Sequence, residues 1–180
     1  MRMNRSSGKN ANILSNKNNI SPPFSFYYLK SIDISGNEIS FDQFIGKKVL
    51  IVNTASDCGF TAQYDSLQKL YDNNKERLII LGFPSNNFGK QEKGSDEKIA
   101  IFCEENYSIT FPLMKKSVVI KEADQNSVYK WLTDPENNGW NSHQPDWNFC
   151  KYLVDENGIL THYFGSAVSP LSEEIKLLLE

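Results

Sequence analysis

The chain is poor in the side chains that bind metals. Its 180 residues hold two histidines, His143 and His162, and three cysteines, Cys58, Cys103 and Cys150. These form no C-x-x-C, no H-E-x-x-H and no other paired spacing, which argues against a zinc or iron–sulfur centre. An odd, widely spaced set of cysteines also argues against the disulfide framework of a small secreted domain. Long apolar runs are missing too. The longest, Val49-Leu50-Ile51-Val52 and Leu78-Ile79-Ile80-Leu81, are strand-sized, and mean hydropathy is -0.47, so no membrane-spanning helix is expected. Excess basic charge is absent: 19 Lys and Arg face 22 Asp and Glu, for a net charge of -3. Nucleic acid is therefore not an expected partner, because phosphate neutralisation needs a basic surface. There is no G-x-S-x-G turn. Nor is there a phosphate loop, since Gly82 to Gly89-Lys90 has the wrong spacing and Gln91 stands where Ser or Thr is required.

What is present describes a globular domain. The composition is 39% hydrophobic, 12% aromatic and 23% charged. A chain of this length suits one domain with a core that needs no external staples. The first 22 residues stand apart, with six asparagines, four basic residues (Arg2, Arg5, Lys9, Lys17) and no acid before Asp33. Low hydrophobicity predicts a disordered tail over 1–23 and a domain over 24–180. The tail lacks the continuous apolar core of a secretory signal, so the expected location is cytoplasmic. A mitochondrial presequence is the alternative, because the tail is basic and acid-free.

Val49 to Ala55 and Leu78 to Phe83 read as buried strands, the second stopped by Pro84. Between them Tyr64, Leu67, Leu70 and Tyr71 recur at helical spacing and predict a helix from Thr61 to Lys75. Ser95 followed by Asp96 and Glu97 predicts a second helix start, with Ile99, Phe102 and Cys103 on one face. Ile109 to Met114 suits a short strand and Ser127 to Thr133 a short helix. Phe149 to Asp155 and Ile159 to Phe164 alternate around Glu156-Asn157-Gly158, a hairpin signal. Ser169-Pro170 opens an expected last helix. The order predicts an α/β, thioredoxin-like fold with a mixed central sheet flanked by helices.

Cys58 falls just after a buried strand and just before a helix. Free amide N–H groups and the positive end of the helix dipole favour an anion there, and the thiolate is the nucleophile. Asp57 opposes it, since a neighbouring carboxylate disfavours a second negative charge. A free cysteine is also a common small core residue, so position alone leaves both readings open. Loops after the carboxyl ends of parallel strands gather on one sheet edge, which brings Gln91 towards Cys58. Trp147 and Asn148, just before the hairpin, can reach the same edge. All three side chains offer uncharged N–H donors suited to developing negative charge. Each alone is equally an ordinary loop or core residue.

Together these segments resemble the glutathione peroxidase family, in its non-selenium, thioredoxin-dependent branch. The stretches that carry the likeness run from Val52 to Thr61, from Gly82 to Glu92, through Phe111-Pro112, and from Trp147 to Phe149 with Lys151 to Asp155. Phe102-Cys103-Glu104-Glu105-Asn106-Tyr107 followed by Phe111 to Lys116 looks most like fungal members. The likeness extends over residues 25 to 180. It implies a catalytic tetrad of Cys58, Gln91, Trp147 and Asn148, with Cys58 as the peroxidatic thiolate that becomes a sulfenic acid. It further implies Cys103 as the resolving cysteine, condensing with Cys58 into a disulfide that thioredoxin reduces.

On this resemblance the expected activity is cysteine-dependent reduction of hydrogen peroxide and organic or lipid hydroperoxides, with no cofactor. Glutathione is the less favoured reductant, because a resolving thiol intercepts the sulfenic acid intramolecularly. The alternative is a peroxide sensor that passes oxidation to a client protein by mixed disulfide. Because Cys103 shares a helix face with Ile99 and Phe102, it reads equally as core, and resolution would require that helix to unwind locally. The sequence departs from relatives at Ser85, Asn87, Lys93, Asp57, Pro145-Asp146 and Cys150; strand alternation puts Cys150 opposite Phe149, as packing. The segment from Ser117 to Trp147 is too short for the oligomerisation insert of tetrameric relatives, so a monomer is expected.

Overall fold

Two apolar runs with no polar alternation need burial on both faces, and the structure supplies it. The structure, a computed structural model, describes residues 12–180. Its strands and helices in chain order are β1 (Ile13–Ser15), β2 (Lys30–Ile32), β3 (Glu38–Ser40), β4 (Lys48–Thr54), α1 (Gln63–Asn73), β5 (Leu78–Pro84), α2 (Asp96–Tyr107), α3 (Ser127–Thr133), α4 (Pro135–Asn138), β6 (Lys151–Val154), β7 (Leu160–Phe164) and α5 (Glu173–Lys176). Five strands form one sheet in the order β1-β7-β6-β4-β5, while β2 and β3 pair as a separate hairpin. Only β4 and β5 of that sheet run parallel; the other pairs are antiparallel.

The period of two along each strand divides the core into two layers. Val49, Ile51, Leu81, Phe83, Tyr152 and Val154 meet Val128, Trp131 and Leu132 of α3 on one face. Leu50, Val52, Leu78, Ile80 and Leu153 meet α1 and α2 on the other, through Tyr64, Leu67, Leu70, Ile99 and Cys103. Each such side chain contributes about 1.5–3 kcal/mol by leaving water. The mixed α/β sheet with helices outside is therefore as the pattern predicts. No helix among the described residues is long and apolar enough to cross a membrane.

Three expectations need correction. Residues 12–23 are not a disordered tail: Ile13–Ser15 pair with Phe164–His162 of β7 and close that edge of the sheet. The Asn16 side chain fixes the following turn, accepting from Ile20 N–H and donating to Ile20 and Leu160 carbonyls. The low average hydrophobicity hid a short strand whose backbone bonds do the holding. The part of the expected tail over 1–11 lies outside the described residues. Ile109 to Met114 is not a strand, because Pro112 has no N–H for a ladder. The segment touches β5 at Gly82 alone, whose N–H donates to Pro112 O (3.0 Å) while Met114 N–H donates to Gly82 O (2.7 Å). Lastly, Ser169-Pro170 forms a turn, and α5 starts later, with Ser172 as its cap residue.

Helix α2 matches its sequence signals closely. Ser95 Oγ accepts the Lys98 N–H (3.3 Å), Asp96 and Glu97 occupy the first turn, and Ser108 closes the helix in a left-handed conformation. Yet α2 buries only Ile99 and Cys103, whereas the shorter α1 buries Tyr64, Leu67, Gln68 and Leu70. With so little burial, the cap is a large share of what holds α2. Ser95→Ala should cost it about 1 kcal/mol, so that amide exchange in α2 speeds up roughly fivefold while α1 is unchanged.

Candidate active site

Because β4 and β5 are parallel and β6 is antiparallel to β4, the ends of β4 and β5 and the start of β6 lie on one sheet edge. After Thr54 the chain turns through Ser56 to Thr61, and Thr61 ties that turn together. Its hydroxyl accepts the Cys58 N–H (2.9 Å) and donates to Ala55 O (2.9 Å), and its own N–H donates to Cys58 O (3.0 Å). Cys58 is held half-buried in this turn, and its sulfur accepts the Phe60 N–H (3.3 Å).

The loop after β5 joins the turn directly, as Asp57 N–H donates to Gln91 O (3.1 Å). Gly89 is left-handed (φ 63°) and has no Cβ for a reason: one there would lie 3.0 Å from Trp147 Cη2 and 3.3 Å from the Gln91 amide. The indole and the amide thus converge over Gly89. Asn148 Nδ2 donates to Gln91 Oε1 (2.9 Å), which leaves Gln91 Nε2 free to donate elsewhere. Asn148 is fully buried, and its Oδ1 has no hydrogen-bond partner among the described residues. Trp147 packs against Phe88, with ring centroids 5.8 Å apart, and keeps 36% of its surface exposed at the mouth of the site.

The structure therefore brings Gln91, Trp147 and Asn148 together beside the Cys58 turn. Cys103 lies elsewhere, on α2, buried in the apolar layer against which Cys58 packs. Cys58, Cys103 and Cys150 are all free thiols. Burial pushes the Cys103 thiol up to about 11; the Tyr64 hydroxyl works against that and the Glu92 charge adds to it. Cys150 is buried in the layer opposite Phe149, where strand alternation places it.

Two residues of the site had little or no signal in the sequence reading. Asn53 follows the apolar run from Val49 to Val52 in β4 and is fully buried. Its Nδ2 donates to Trp147 O (2.8 Å), its Oδ1 accepts the Cys150 N–H (3.0 Å), and its carbonyl accepts the Phe149 N–H (2.6 Å). These bonds hold Phe149 in a left-handed conformation (φ 63°) that few aromatic residues adopt. A polar residue in a buried run was the available clue, because such a group must find partners. The second is Glu92, buried next to Gln91, with Oε2 accepting from Ser56 Oγ (3.1 Å). Burial pushes its carboxyl up to about 7, against the Ser56 hydroxyl and the Lys116 charge.

Comparison with known proteins identifies the family. A family model for glutathione peroxidase matches residues 26–133. Glutathione peroxidase-like peroxiredoxin 2 of Saccharomyces cerevisiae is 47% identical over 158 residues, spanning 86% of this chain and 97% of that protein. Among solved structures, Trgpx in apo form is 34% identical with a TM-score of 0.65, over 86% of this chain and 95% of that one. A thioredoxin family thiol:disulfide interchange protein from Chlorobium tepidum is 14% identical with a TM-score of 0.62, over 89% of this chain and 97% of that one; it shares the thioredoxin-like fold. The chain belongs to the glutathione peroxidase family.

Asn53 gives a direct test of how the site is held. Asn53→Ala removes two side-chain bonds and leaves the buried Cys150 N–H unpaired, while Trp147 O keeps the Cys150 thiol as a partner, so it should cost about 1–3 kcal/mol in urea unfolding. Asn53→Asp keeps the acceptor for the Cys150 N–H but sets a carboxylate oxygen against Trp147 O in a buried site, so it should cost at least as much as Asn53→Ala.

Proposed function

We propose that this family member is a thiol peroxidase that reduces hydrogen peroxide and organic hydroperoxides at Cys58. The observation that carries the reading is a cysteine sulfur accepting a backbone N–H at the sheet edge where Gln91, Trp147 and Asn148 converge. An N–H aimed at sulfur is the partner a thiolate takes, and uncharged donors nearby stabilise charge without quenching the nucleophile. The thiolate attacks one peroxide oxygen, the O–O bond breaks, and the second oxygen leaves with a proton as water or alcohol. Cys58 becomes a sulfenic acid. Gln91 Nε2 and the Trp147 indole N–H are the donors for the developing charge, and Asn148 orients Gln91 through its own bond.

Cys103 then resolves the sulfenic acid, forming a Cys58–Cys103 disulfide and water, and thioredoxin reduces the disulfide by exchange. The yeast relative's name, a glutathione peroxidase-like peroxiredoxin, supports a thiol-based cycle. The thin burial of α2 supports the local unwinding that frees Cys103. The enzyme acts as a monomer without a cofactor, with glutathione the weaker reductant.

The test is NADPH-coupled peroxide turnover with thioredoxin and its reductase, set beside glutathione and its reductase. Cys58→Ser should abolish turnover with both, and Cys103→Ser should lose thioredoxin coupling selectively. Undiminished thioredoxin coupling in Cys103→Ser would remove the resolving role. Amide exchange in α2 should be faster in the disulfide form than in the reduced form; equal protection would rule out the unwinding step.

A further inference from the structure

Trp147 is held from β4 by Asn53, and a second set of bonds reaches the same segment from β7. Tyr163 of β7 is buried, and its hydroxyl reaches a residue on each flank of the Trp147-Asn148-Phe149 stretch. Before the stretch it lies 3.2 Å from Asp146 Oδ2, and after it 3.2 Å from Cys150 Sγ. The one phenolic hydrogen is shared between these two acceptors. Burial, and then the neighbouring Cys150 and Asp146, push the pKa of Tyr163 well above the ordinary tyrosine value, so the hydroxyl keeps its hydrogen.

The Cys150 thiol is fully buried and donates to Trp147 O (3.3 Å), the carbonyl to which Asn53 Nδ2 donates from β4. Asp146 is exposed, yet its Oδ2 also lies 2.8 Å from His143 Nε2, and the His143 ring meets Tyr163 edge-on with centroids 4.5 Å apart. His143 is itself anchored, since its carbonyl accepts from the Tyr152 hydroxyl (2.8 Å) and the Asn141 amide (3.1 Å). Asp146, Cys150 and Tyr163 all lie outside the stretches on which the family likeness rests. None of them enters the peroxide chemistry proposed above.

A phenylalanine at 163 would fill the same space, so what the hydroxyl adds is its bonds to the two flanks. Trp147 is part-exposed and rests its ring on Phe88, so the direction of its indole N–H depends on how its backbone is held. We propose that Tyr163 is a positioning residue of the peroxide reaction: through Cys150 and Asp146 its hydroxyl fixes the Trp147 backbone and so aims the indole N–H at the developing charge. The role rests on the peroxidase reading given above. A donor displaced by about 1 Å loses much of its effect on a transition state, so loss of the hydroxyl should slow the reaction without stopping it.

The experiment measures the second-order rate at which reduced full-length protein consumes hydrogen peroxide, for wild type, Tyr163→Phe, Trp147→Phe and the double variant. Tyr163→Phe should slow consumption about tenfold. In the Trp147→Phe background the same change should cost less than about twofold, because the group it aims is gone. Cys150→Ala breaks the link at its other end, and should likewise slow the protein that has Trp147 far more than the protein that lacks it. Independently of turnover, the Trp147 indole N–H resonance, identified by its loss in Trp147→Phe, should move or broaden in Tyr163→Phe. Wild-type rates in both Tyr163→Phe and Cys150→Ala, an equal loss with and without Trp147, or an unmoved indole resonance would each overturn the role. A wild-type protein that leaves peroxide unconsumed would instead remove the peroxidase reading, and the positioning role with it, even where the resonance moves.

Discussion

The hydrogen bonds of Asn53 are the constraint on which the site depends. Strand β4 is buried on both faces, and a polar side chain inside it is costly unless fully paired. Asn53 finds its partners in the segment from Trp147 to Cys150, and so ties the end of β4 to the start of β6. Phe149 accepts a left-handed backbone because those bonds over-determine it. Trp147 and Asn148, just before that bend, are thereby fixed over the loop that carries Gln91. The geometry of the candidate site follows from a packing problem within the sheet.

Much of the architecture was legible because its signals are local. Ser95, Asp96 and Glu97 announce α2, and Ser127 to Thr133 is helical as its burial pattern requires. Gly158 (φ 80°) supports the turn between β6 and β7 that the alternating residues around it imply. What escaped depends on partners distant in sequence. Ile13 to Ser15 is a strand only because β7 offers an open edge, and Asn-rich flanks disguised it. Ile109 to Met114 has strand-like side chains, but Pro112 denies it a ladder. Cys58, Gln91, Trp147 and Asn148 were legible as a set through family resemblance. Glu92 was not, because nothing in its local pattern marks a carboxyl for burial.

Stability is distributed unevenly, and the uneven part bears on the chemistry. Helix α1 is anchored by four buried residues, and Thr61 fixes the turn before it, so Cys58 sits on a rigid support. Helix α2 is held by its cap and two buried side chains, one of which is Cys103. In the proposed cycle Cys58 needs preorganised donors, whereas the buried Cys103 needs freedom to leave. The fold gives each thiol the kind of support that its proposed step requires.

In the proposed reaction Gln91 and Asn148 act on Cys58 as one unit, with Asn148 working through its bond to the Gln91 amide. The most direct measurement is a double-mutant cycle, Gln91→Ala, Asn148→Ala and both together, on the second-order rate at which reduced protein consumes hydrogen peroxide. The geometry predicts strong non-additivity, with the double variant little slower than Gln91→Ala alone. Additive losses, each variant slowing the reaction independently of the other, would contradict it.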